Sequence, residues 1–100
     1  MIFVMKSSGC LKPGTERELV NIDKAESIRV DEYKEKSETS YRISAYFGGL
    51  SWERLADKMT KEKAMSVLDA LMNSIVEDSA GYEGHPKSMI IRMDDLISKE

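Results

Sequence analysis

The chain carries one cysteine, Cys10, and one histidine, His85, so it can close no intramolecular disulfide and cannot build a four-ligand zinc site from those residue types. Long apolar runs are missing as well. Met1-Ile2-Phe3-Val4-Met5 is stopped at once by Lys6, too short for a signal-peptide core and without a positive region before it. No other stretch approaches the roughly 18–20 apolar residues of a membrane-spanning helix. Nor is there an excess of one charge: 15 Lys and Arg against 18 Asp and Glu leave a net charge of −3. That balance argues against a dedicated binder of nucleic acid or of an anionic membrane, while leaving room for a local basic patch. Neither G-x-G-x-x-G nor G-x-x-x-x-G-K-S/T occurs, and Asp94-Asp95 lacks the glycine and ligand spacing of a calcium loop. The expectation is a cytoplasmic protein with no metal, no cofactor, no membrane partner and no small-molecule substrate.

What is present suits one small domain. Hydrophobic residues make up 41% of the 100 residues. A chain of this size buries roughly 60–65% of the surface it exposes when unfolded, enough to fold without a staple. Ile2–Met5 reads as a short buried strand ended by the turn residues of Ser7–Gly14, and Leu19–Ile22 as a second. From Ser27 to Glu35, Ile28 and Val30 alternate with Arg29, Asp31 and Tyr33, the period of a strand with one buried face. The polar stretch Lys34–Ser40 is expected to form the tip of an antiparallel hairpin whose second strand is Thr39–Phe47. In that strand Tyr41, Ile43, Ala45 and Phe47 form the core face, and Ser40, Arg42, Ser44 and Tyr46 the other. Gly48-Gly49 marks a tight turn. The segment after it fits a returning strand over Leu50–Ala56 or a helix over Ser51–Met59, with the strand favoured.

The strongest element is a helix over about 61–78, capped by the Thr60 hydroxyl, with Ala64, Val67, Leu68, Leu71 and Ile75 on one stripe. Seven methionines are present; Met65 and Met72 lie seven apart on the edge of that stripe and are expected to fill core gaps rather than to line a partner groove. Gly81 is a candidate helix cap, Gly84-His85-Pro86 a loop, and Met89–Met93 a short closing strand. The tail from Asp94 onward is expected to be frayed. The predicted class is α+β: an antiparallel sheet of four or five strands with one long helix on one face and a short C-terminal strand.

The segments Leu19-Val-Asn-Ile-Asp-Lys-Ala-Glu-Ser-Ile-Arg-Val30 and Met59-Thr-Lys-Glu-Lys-Ala-Met-Ser-Val-Leu-Asp-Ala-Leu71 resemble those of small uncharacterised proteins of Gram-positive bacteria and their phages or prophages. The resemblance implies a strand pair, a hairpin, a threonine-capped helix and a short closing strand, together with an accessory type of role. It implies no functional residue.

No nucleophile, base and orienting group can be named together. Cys10 and His85 lie far apart with no local signature, and adjacent carboxylates such as Asp31 and Glu32 point to opposite faces of a strand, so no enzyme is expected. One surface stands out. The face of the hairpin opposite the helix gathers Arg29, Tyr33, Arg42 and Tyr46, a combination enriched at interface hot spots. The expected function is that of a non-enzymatic protein-interaction module, bound to another protein or to itself as a homodimer. The alternative is an accessory binder of single-stranded nucleic acid, using the same residues with Lys34 and Lys36 beside them.

Overall fold

The computed structural model describes residues 2–49, 51–80 and 89–98. Gly81, Gly84, His85 and Pro86 lie outside the described residues. The elements follow the order β1 (Ile2–Met5), β2 (Leu19–Asn21), β3 (Ser27–Glu35), β4 (Glu38–Tyr46), β5 (Trp52–Met59), α1 (Lys61–Ala80), β6 (Met89–Arg92) and α2 (Met93–Ser98).

The class is α+β, but the single antiparallel sheet is replaced by two sheets of three strands each, ordered β2-β1-β6 and β3-β4-β5. In the first, β1 pairs antiparallel with β2 and parallel with β6, Phe3 lying opposite Ile90. Parallel pairing needs a long crossover, and β1 and β6 are separated by almost the whole chain, α1 included. Alternation within a strand specifies its faces but not its neighbours, so the sequence carried no sign of this pairing.

The second sheet is a meander. β3 and β4 pair over their full nine residues, from Ser27 opposite Tyr46 to Glu35 opposite Glu38. The turn is therefore only Lys36-Ser37, much tighter than the polar tip expected over Lys34–Ser40, and both residues take positive φ, 49° and 72°. Two consecutive left-handed residues match the twist of a two-residue hairpin. Gly48 and Gly49 also take positive φ, 91° and 59°, where a side chain is strained.

β5 is a strand with two irregularities: the register to β4 shifts between Tyr41 and Ile43 and, by a bulge, again between Ile43 and Ser44. Leu55 and Ala56, adjacent in sequence, are both fully buried. A regular strand would send them to opposite faces; the bulge lets both face the core. This also explains the helix-like apolar spacing of the segment.

One buried cluster joins both sheets and α1, with Val4, Ile43, Leu55, Val67 and Leu71 fully buried within it. Thr60 caps α1 as expected, its Oγ1 accepting from the Lys63 backbone N–H at 3.2 Å. Ala64, Val67 and Leu71 are buried, while Leu68 and Ile75 pack at the margin. The helix runs two residues beyond its expected end. Met65 and Met72 correct the core-filling expectation: both are 46% exposed, forming with Val76 a ridge beside the buried stripe. The tail is a second correction, since residues 93–98 form α2 and bury Met93 and Leu96 in the same core. Apolar positions at 93, 96 and 97 carry a helical spacing, which is masked because Met93 also continues the apolar run of the strand before it.

The two sheets are tied at β5. Ser7 donates its backbone N–H to the Leu55 carbonyl at 2.9 Å. The Lys6 ammonium, its side chain 8% exposed, pairs with Glu18 at 2.6 Å and Glu53 at 2.8 Å. Burial works against the Lys6 charge, but the two carboxylates outweigh it and hold the ammonium above its ordinary range.

Candidate interaction face

With α1 on one side of the β3-β4-β5 sheet, the side chains on its other side are fixed by register. Ser27, Tyr46 and Trp52 form one rung across the three strands, and Arg29, Ser44 and Arg54 the next. Asp31 and Arg42 follow, then Tyr33 and Ser40. All four residues singled out from the sequence, Arg29, Tyr33, Arg42 and Tyr46, therefore lie on this one face.

The side chains interleave. The Arg29 guanidinium carbon lies 4.5 Å from the centroid of the Tyr46 ring. Tyr46 and Trp52 stack with centroids 6.3 Å apart and planes inclined by 25°. The Arg42 guanidinium sits 4.6 Å from Trp52 and 5.2 Å from Tyr33. The Arg54 guanidinium reaches the same two rings, at 5.9 Å from each. Each contact of this kind is worth about 0.5–1 kcal/mol at an exposed site, so the main effect is to hold long side chains in fixed places.

Hydrogen bonds pin the ring ends. The Tyr46 hydroxyl donates to Asp31 Oδ2, and this bond, with the nearby carboxylate charge and partial burial, keeps the phenol proton on above the ordinary tyrosine range. The Tyr33 hydroxyl accepts from the Lys58 backbone N–H at 3.1 Å. Arg42 makes no ion pair, among the described residues, with Asp31, the residue directly opposite it. Among the described residues, Arg54 is the one arginine of this face that pairs with a carboxylate, reaching Asp57 at 3.1 Å. Arg29 spends its Nε on the Ser27 hydroxyl at 3.1 Å.

Two polar atoms here are buried without a partner among the described residues: Arg42 Nε and the hydroxyl of Ser44, a residue that is 0% exposed. An unpaired buried hydroxyl costs about 1–3 kcal/mol, whereas removing it costs almost no packing volume. Ser44→Ala is therefore expected to leave stability unchanged or raise it by about 1 kcal/mol in urea unfolding. A loss larger than that would show that the hydroxyl is paired.

Trp52, Arg54 and Ser44 complete the face. The first two were not legible as members because residues 51–59 fitted either strand or helix, and only the strand with its register places them beside Arg42 and Tyr46. Beyond Tyr33 the face runs toward a shallow cleft of about 400 Å³ lined by Glu35, Lys36, Glu38, Ser40 and Lys58.

Cys10 is half-buried in a 3-10 turn over Ser8–Cys10, and burial, reinforced by the Asp57 carboxylate, pushes its thiol up to about 12. At neutral pH it is a protonated thiol, not a nucleophile. Among the described residues no group of three or more His, Cys, Asp or Glu side chains is placed to hold a metal ion. No described helix is long and apolar enough to cross a membrane.

No family model, no curated protein and no solved structure matches this chain.

Proposed function

We propose that this protein is a non-enzymatic protein-interaction module whose working surface is the outward face of β3, β4 and β5. The observation that carries the proposal is the ladder itself: on a face turned away from the helix, Tyr46, Trp52 and Tyr33 each bear a guanidinium, and Arg29 and Arg42 have no carboxylate partner among the described residues. Aromatic and arginine side chains held rigid before binding lose little entropy on binding, the property that makes them hot-spot residues.

The partner we propose is a different chain. A two-fold dimer with its axis through the Arg42-Arg54 pair would bring these arginines against their own copies, and like charges across an interface cost several kcal/mol. The nucleic-acid reading is weaker for a geometric reason. Bases bind such sheets by stacking on exposed rings, and here a base must first part a guanidinium from its ring.

Selection of displayed random peptides on the immobilised chain, followed by rescoring against Trp52→Ala and Tyr46→Ala, tests the proposal. Peptides that lose binding to both variants are the expected result. Selected peptides that bind both variants as well as they bind the parent, or no enrichment at all, would overturn it.

A further inference from the structure

We infer that the arginines of this face form a carboxylate-binding site, and that its occupant is an extended acidic polypeptide segment. The inference rests on the interaction role proposed above and names the chemistry of the partner.

The geometry concentrates positive charge. Arg42 and Arg54 lie against the same two rings, Trp52 and Tyr33, so two guanidiniums are kept as neighbours. Only Asp57 compensates them by direct pairing, and it binds Arg54. Asp31, opposite Arg42 in register, keeps its charge while accepting from the Tyr46 hydroxyl, so the face holds three arginines against Asp31 and Asp57. Arg29 stands on the rung of Ser44, which separates it from Arg54 by one strand. Among the described residues Arg54 has a carboxylate partner and Arg42 does not, and the planar guanidinium fork matches a carboxylate with two parallel hydrogen bonds.

The two unpartnered atoms lie in the same place. Ser44, flanked by Arg29 and Arg54, and Arg42 Nε, one rung away, each have hydrogen-bonding capacity that the described residues leave unused. Both atoms are buried, so an incoming carboxylate meets Arg42 at its terminal guanidinium nitrogens rather than at Nε. Arg29 Nε is bonded to Ser27, Arg42 Nε is buried and one terminal nitrogen of Arg54 is bonded to Asp57, so the N–H groups left for an anion are the remaining terminal ones.

An extended segment fits better than a compact anion. It places every second side chain on one side, so acidic residues at alternate positions address successive rungs of a sheet with the same period. The positive face sits on a chain of net charge −3, so the attraction is local and acts at short range.

Fluorescence anisotropy on the intact chain tests this with three labelled probes. One is an alternating Asp-Ser peptide of nine residues, the length of β4; the others are its Lys-Ser counterpart and oligothymidylate. The Asp-Ser peptide is expected to bind most tightly and to weaken with added salt. Arg42→Gln and Arg29→Gln are each expected to weaken it about tenfold. Arg42→Lys should recover only part of the loss, because an ammonium keeps the charge without the fork. Arg29 is exposed, so Arg29→Gln keeps the test decisive even if Arg42→Gln fails to fold. Equal binding of the Lys-Ser peptide, or unchanged affinity in folded Arg29→Gln, would overturn the inference. Tighter binding of oligothymidylate would also overturn it, assigning the arginines to phosphates. Selected peptides that need Trp52 but carry no acidic residue would sink this inference and leave the interaction role standing; peptides indifferent to Trp52 sink both.

Discussion

Leu71→Ala is expected to lower the unfolding free energy by about 2–5 kcal/mol, a large part of the roughly 5–15 kcal/mol that holds a small domain folded. Leu71 is fully buried where α1 meets the shared core, so truncation removes its transfer free energy and leaves a cavity that the surrounding strands fill only in part. Its neighbour Met72 supplies the control. Met72 is 46% exposed, and Met72→Ala is expected to stay within about 0.5 kcal/mol of the parent. Urea unfolding of the two variants measures the contrast through the shift of the midpoint at constant slope. Equal losses at both positions would mean that α1 presents a different stripe to the sheets.

Met93→Ala is expected to cost a similar amount, about 2–5 kcal/mol. It is the first residue of α2, fully buried, and it joins Leu96 in the core against which α1 packs. A neutral result would fit a frayed tail and contradict the docking of α2. Asp95→Ala, on the exposed side of the same short helix, is expected to change little. Since alanine is the best helix former, neither substitution weakens the helix locally, and the contrast reports core packing.

How far the sequence reached differs from element to element for physical reasons. The outward face was legible because a strand has a period of two: once Ile28, Val30, Ile43 and Ala45 were assigned inward, Arg29, Tyr33, Arg42 and Tyr46 had to share the opposite side. Thr60 and the stripe through Ala64, Val67 and Leu71 were legible from cap chemistry and helical spacing. Strand neighbours were not, since the parallel pairing of β1 with β6 depends on how distant segments close around α1, which no local pattern encodes. The bulge at Leu55-Ala56 mixed two periods in one strand, and that blurred the placing of Trp52 and Arg54. Met65 and Met72 show the limit of composition: on a helix edge their burial is decided by the width of the sheet beneath, not by their hydrophobicity.

The central claim is that the protein binds its partner through the outward face of β3, β4 and β5. Two exposed surfaces compete for that role, this ladder and the Met65-Met72-Val76 ridge of α1. Amide chemical-shift mapping on the isotope-labelled chain, titrated with a peptide selected for binding, distinguishes them in one experiment. The expected result is that the perturbed amides cluster on residues 29–33, 42–46 and 52–54, and that the indole N–H of Trp52, the one tryptophan in the chain, moves with them. Perturbations gathered on Met65, Met72 and Val76, with the Trp52 indole unmoved, would contradict it.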